Sequence, residues 1–222
     1  MGVTASASTA TGAAADDIRI TADGSIKPTA AGAIVTIDSN NKVTNAGTLS
    51  TNGVNDSVGV LILGGKTGGL TNSATISLLE DYTPTDSDND GDLDGPFAQG
   101  SNRFGVRLTT AGTFTGNIVN EAAGSISVEG NISAGMLLEG PVVGNITNLG
   151  TISVVGDNAR GVRIAAPVTG KVTLGGTINV QGVGAIAQDV GANINGALVL
   201  QGATSATGYR STSRPGTLDA LN

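Results

Sequence analysis

Short runs in which apolar and polar residues alternate recur along the chain, each bounded by Gly, Asn or Asp. In Thr151-Ile152-Ser153-Val154 the period of two sends Ile and Val to one face and Thr and Ser to the other, which predicts a strand with one buried face. No helical period separates one such run from the next. The runs also group into a longer phrase: a small residue and Thr/Ser-Ile/Leu-Ser/Asn, a polar turn, Gly-apolar-x-apolar, a second turn, and an apolar pair closing on Asn or Leu. It reads Gly47-Thr48-Leu49-Ser50, Gly59-Val60-Leu61-Ile62 and Leu70-Thr71-Asn72. Later copies begin at Gly124, Gly150 and Gly176, and a shorter early one at Gly24.

The closing asparagines measure the period. Asn45 and Asn72 are 27 residues apart and Asn120 and Asn148 are 28 apart, but 48 separate Asn72 from Asn120. One copy therefore carries an insertion of about twenty residues. Three strands per copy predict a chain that coils through three sheets and stacks on itself, each coil burying its apolar face against its neighbours. The expected fold is all-β: a right-handed parallel β-helix of about six coils, its hand set by the crossover rule, with one inserted acidic loop. Coils begin near residues 24, 46, 73, 121, 149 and 175, and at ~4.8 Å per strand they make a rod of ~29 Å. Residues 1–23 are expected to form an N-terminal segment or cap, 24–201 the repeats with the insertion at about 80–102, and 202–222 a C-terminal cap or linker. An antiparallel sandwich of short strands is the alternative, but sandwiches rarely repeat one phrase at a fixed period. The recurrent asparagines read as fold residues, tolerant of left-handed backbone and able to stack their amides from coil to coil.

Composition agrees with a thin, layered core. Glycine supplies 35 of 222 residues, about twice the usual share, while aromatics make up 2% and Cys, Trp and His are absent. Zero cysteine excludes a disulfide scaffold and a thiolate metal site, and it suits an exported protein. The net charge of −7 argues against nucleic acid as a partner. Seven of the 18 carboxylates fall between Glu80 and Asp94, leaving eleven against eleven Lys and Arg elsewhere, so the insertion holds the whole excess.

That insertion contains Asp86-Ser87-Asp88-Asn89-Asp90-Gly91-Asp92-Leu93-Asp94. Carboxylates at loop positions 1, 3, 5 and 9 with Gly at 6 match the first three quarters of an EF-hand-like loop. Asp86, Asp88, Asp90 and Asp94 would offer side-chain oxygen and Asp92 its backbone carbonyl, with calcium in a structural role. Position 12 is Phe97 instead of a bidentate Glu, so Glu80, Asp81 or water must complete the shell, or the site is weak. A solvated acidic loop is the plainer reading. Phe97, Arg103 and Phe104 flank the segment, Phe104 being placed to pack it onto the coil, and insertions in solenoids often form the binding face.

An enzyme is not expected. There is no His for acid–base work, and outside the insertion Asp and Glu are scattered without a repeated facing pair. Arg107 and Arg163 occupy one repeat position two coils apart and are expected to point outward. An outward array of Thr48/Ser50, Thr75/Ser77, Ser125/Ser127, Thr151/Ser153 and Thr177/Asn179 resembles the flat face of β-helical ice-binding proteins, though Ser and Asn interrupt it and ordinary strand preference explains it.

The run from Gly150 to Pro215, with Thr-Ile-Ser-Val, Gly-Val-Arg, Val-Thr-Leu-Gly-Gly-Thr-Ile-Asn-Val and the closing Tyr209-Arg210-Ser211-Thr212-Ser213-Arg214-Pro215, resembles the passenger region of outer-membrane autotransporters. The resemblance covers coils from about residue 24 onward and is fold-level. It implies export through the outer membrane, a C-terminal translocator barrel as partner, and a passenger at the cell surface or shed from it. Such passengers act as adhesins, biofilm factors, toxins or hydrolases. The expectation is thus a non-enzymatic adhesin or rigid stalk meeting a glycan or protein on a host or neighbouring cell. A β-helical polysaccharide lyase or hydrolase is the alternative.

Overall fold

Alternation decides which side chains meet. In the computed structural model, which describes residues 3–4, 14–87, 89 and 93–208, Ile126, Ile152 and Ile178 lie in register and are fully buried. Val128, Val154 and Val180 form a second buried column, and Ser127, Ser153 and Asn179 the outward column between them. Thr75–Leu79 repeats the arrangement and Thr48–Asn52 does so with Thr51 in the second buried column, and the result is a parallel β-solenoid with no helix among the described residues.

Three parallel sheets wrap one core. The first contains Gly32–Ile37, Ser57–Ile62, Arg103–Leu108, Ala134–Leu138, Arg160–Ile164 and Ile186–Val190, with Val3–Thr4 at its edge. The second runs from Ile18–Ile20 through Lys42–Asn45, Thr67–Asn72, Phe114–Asn120, Ile146–Asn148 and Val172–Leu174 to Leu198–Leu200. The third runs from Ser25–Ile26 through Thr48–Asn52, Thr75–Leu79, Ser125–Glu129, Thr151–Val155 and Thr177–Gln181 to Thr204–Thr207. The stack makes about seven turns where the sequence period counts six. The additional strands lie at both ends of those six: Val3–Thr4 and Ile18–Ile20 from the segment expected as an N-terminal cap, and Thr204–Thr207, which pairs with Thr177–Gln181 but carries Thr and Ala where earlier copies carry Ile and Val. The backbone of this last strand joins the sheet without the apolar signal. Residues 209–222, which include the Tyr209–Pro215 run, lie outside the described residues, as do 1–2 and 5–13.

The Gly that opens each first-sheet phrase has a steric cause. A Cβ on Gly135 would stand 2.3 Å from Ile152 Cγ2 and 2.7 Å from the Gly161 carbonyl oxygen, and Gly59, Gly105 and Gly161 meet Ile76, Ile126 and Ile178 in the same way. The missing side chain lets the third sheet's isoleucines reach across the core, which is how a thin solenoid reaches interior packing density.

The closing asparagines form a buried ladder. Asn45 Nδ2 donates to Asn72 Oδ1, Asn72 Nδ2 to Asn120 Oδ1 and Asn120 Nδ2 to Asn148 Oδ1, each at 2.7 Å, and all four residues are at most 1% exposed. Stacked amides account for the recurrence; backbone tolerance does not, since none of the four has positive φ. The left-handed column is elsewhere, at the turn before each first-sheet strand. There Asp56, Asn102, Ile132, Asn158 and Gly184 have φ between 51° and 65°. Asp, Asn and Gly accept this conformation, whereas a β-branched Ile adopts it at a cost of about 1–2 kcal/mol.

Candidate functional site

The insertion leaves the stack after Thr75–Leu79 and rejoins it at Arg103–Leu108, so its ends must be held together at one corner. Glu80 and Arg103 do this. Arg103 starts its strand between Ser57 and Ser133, and its side chain is buried although Arg107, four residues on, faces outward; the ladder skips Gly105 between them, so strict alternation does not run through this strand. Its guanidinium is 1% exposed and fully engaged: Nη1 pairs with Glu80 Oε2 at 2.9 Å and donates to the Glu129 carbonyl at 2.5 Å, Nε donates to the Val54 carbonyl at 3.0 Å, and Nη2 to Asn55 Oδ1 at 3.1 Å. Glu80 in turn accepts the backbone N–H groups of Gln99 and Gly100 at 2.6 and 2.7 Å, while Glu129 Oε2 accepts the Glu80 N–H at 2.8 Å. A buried ion pair is tolerable only when its remaining hydrogen-bonding capacity is met, and here it is met by three successive turns.

Beyond this neck the arms of the loop are joined by Tyr82 Oη donating to the Pro96 carbonyl at 2.8 Å and by the Asp94 N–H donating to the Thr85 carbonyl at 3.2 Å. Asp94 Oδ2 accepts the N–H and the hydroxyl of Ser87 at 2.6 and 2.5 Å. Phe97 is buried, and with Pro84 and Leu93 it closes a crevice of about 150 Å³ over the in-register column Glu129, Val155 and Gln181. The loop therefore folds back along the stack. Phe97, not Phe104, packs it down. Phe104 lies half-buried under the Arg107 guanidinium, at 4.9 Å from its ring centre.

Of the residues expected to hold calcium, Asp86 is half-buried and Asp94 exposed, on the two arms of the loop beyond the neck. Asp88, Asp90 and Asp92 lie outside the described residues. Among the described residues no group of three or more carboxylates is placed to hold one ion. The two carboxylates expected to complete the shell are engaged elsewhere, Glu80 with Arg103 and Asp81 as the acceptor of Asn52 Nδ2 at 2.9 Å.

Sequence reasoning did not foresee the Arg103 cluster. Its signal was a charged residue in a column otherwise filled by glycine, serine or alanine, legible only once the register is known. The expected hydroxyl array is in register on the third sheet, Thr48, Thr75, Ser125, Thr151 and Thr177 in one column and Ser50, Ser77, Ser127, Ser153 and Asn179 in the next. No helix among the described residues is long and apolar enough to cross a membrane. No family model, no curated protein and no solved structure matches the chain.

Proposed function

We propose that the protein is a non-enzymatic passenger, exported through the outer membrane and displayed at the cell surface or released from it, acting as an adhesin or rigid stalk. The observation that carries this reading is the unbroken in-register stack from Ile18 to Thr207, a rod of roughly 30 Å with one continuous apolar core. Rods of this kind hold surfaces at a distance and present long faces for binding. The carboxylates along the stack support the non-enzymatic reading through their partners: Glu80 with Arg103, Glu139 with Arg107, and Asp189 with Arg160 and Arg163. Side chains committed to ion pairs are poorly placed for proton transfer. The resemblance to autotransporter passengers supports the route and a C-terminal translocator barrel as partner.

The acidic loop takes a structural calcium ion in this reading, on the strength of the spacing of Asp86, Asp88, Asp90, Asp92 and Asp94. Calorimetric titration of calcium is expected to give heat that Asp90→Ala removes; an athermal titration of the parent would count against the ion. For the function itself, the purified chain is incubated with a panel of polysaccharides and host-surface proteins, following retention and new chain ends together. Retention without cleavage is the expected result, and cleavage of any polysaccharide would establish the carbohydrate-active alternative instead.

A further inference from the structure

The outward face of the first sheet differs from the other two. Where the third sheet shows hydroxyls, this one carries Arg107, Leu137 and Arg163 in a single register column, with Phe104, Ala134 and Arg160 in the column beside it. Together they line an open groove of about 400 Å³, rimmed by Ile132. The two column arginines are two strands apart, about 9–10 Å along the rod axis, with Leu137 as an apolar floor between them.

Each guanidinium is oriented without being used up. Arg107 lies over the Phe104 ring and donates from Nε to Glu139 Oε2 at 2.8 Å, and among the described residues its two terminal nitrogens have no hydrogen-bond partner. Arg163 reaches Asp189 Oδ2 through Nη1 at 3.2 Å and its side chain is 45% exposed. Arg160 is structural by comparison: Nη1 donates to the carbonyls of Asn158, Ala159 and Gly184, and burial pulls its pKa below the ordinary value, opposed by Asp189 and reinforced by Arg163. Three arginines against Glu139 and Asp189 leave one positive charge on the face of a chain that is acidic overall.

Ile132 is the second observation. It is the one β-branched member of the left-handed turn column, with φ of 54°, and it is 62% exposed. A strained, exposed apolar residue beside a cationic groove fits a contact made to something outside the chain.

We propose that this groove binds a linear acidic polysaccharide, its anionic groups on Arg107 and Arg163 and the apolar face of an intervening sugar ring on Leu137 and Ile132. This names the ligand class for the adhesin and rests on that reading. The chemistry favours this ligand over other anions. Planar guanidinium forks match carboxylate and sulfate, and a fixed separation near the length of a disaccharide matches alternate carboxylates of a polyuronate or successive disaccharide repeats of a sulfated chain. The backbone groups of the strands beneath are committed to the sheet, so an extended peptide finds no ladder to join.

Retention of the full chain is measured on immobilised heparin, polygalacturonate, poly-glutamate and neutral dextran at fixed salt, for the parent, Arg107→Gln, Arg163→Gln, Ile132→Asn, and Lys171→Gln as a control for charge alone. The parent is expected to bind heparin or polygalacturonate, which separates a sulfate from a carboxylate preference, and not dextran. Each Arg variant should weaken binding by roughly tenfold or more, since a hydrogen bond to a charged group is typically worth that factor. Ile132→Asn should weaken it less, and Lys171→Gln should leave it unchanged. Thermal unfolding verifies that the variants fold, and if Arg107→Gln does not, Arg163→Gln decides the matter. Parent retention on neither acidic polysaccharide, retention on poly-glutamate alone, or an equal loss in Lys171→Gln overturns the proposal. If the double Arg variant still adheres to host-surface glycans or proteins, the adhesin reading stands and this groove is not its site. If the groove binds and the polysaccharide is cleaved, the adhesin reading fails and the site stands.

Discussion

The turns from Ser125 to Gln181 and the excursion from Glu80 to Arg103 are parts of one solenoid held by opposite means. In the regular turns each layer repeats the one below: Ile126, Ile152 and Ile178 are interchangeable in role, and the polar column Asn45, Asn72, Asn120 and Asn148 repeats a single 2.7 Å hydrogen bond. Stability there is spread over many small, similar terms. The excursion has no neighbouring copy to lean on, and its anchoring is gathered into one guanidinium that touches three turns. Repetition makes a structure tolerant of single losses, whereas a lone charged cluster makes it sensitive.

The sharpest way to break this contrast is Arg103→Ala. It leaves the Glu80 carboxylate buried without its counter-charge, and the expected loss is about 3–5 kcal/mol in denaturant unfolding. A loss below about 1 kcal/mol, the range of an ordinary surface pair, would mean that Phe97 and the loop arms hold the neck unaided. Asn120→Ala tests the repeating side. It interrupts the amide ladder at its centre, deprives Asn148 Oδ1 of its Asn120 donor, and should cost about 1–3 kcal/mol. If the two variants lost equal stability, the distinction between distributed and concentrated anchoring would fail. Smallest, and opposite in sign, is Ile132→Asn. It restores the residue type used at Asn102 and Asn158 and should stabilise by about 1 kcal/mol, seen as a rise in melting temperature. With the expected loss of polyanion retention, that gain would identify Ile132 as a position where stability is given up for contact.

Most of the scaffold was legible in the sequence because its causes are local and repeated. A period of two fixes which face of Thr151-Ile152-Ser153-Val154 is buried, and the recurrence of Asn at a constant interval places one amide above another. The role of the Gly in Gly135-Met136-Leu137-Leu138 was not legible, since its contact with Ile152 crosses the core. The turn ending in Thr204–Thr207 was hidden for a different reason: backbone pairing continued after the apolar residues stopped. The candidate sites were harder still. Arg103 declares itself only when the register puts it in line with Ser57 and Ser133, and Phe104, expected to pack the loop, meets Arg107 instead because the ladder skips Gly105 and strict alternation does not run through the strand. Arg107 and Arg163 were visible as a pair, but Phe104, Ile132 and Leu137 join them only through the stacking of separate turns.

The clamp at the neck of the insertion has a consequence for how such a chain can change. With Glu80, Arg103 and Glu129 fixing both ends of the detour, the register of the turns on either side is set at the neck and not by what the detour carries. Lengthening a closed loop costs little, about 0.6 kcal/mol for each doubling. The neck therefore works as a socket: sequence on its outer side can be lengthened, recharged or exchanged by mutation while the register of the turns below is inherited intact.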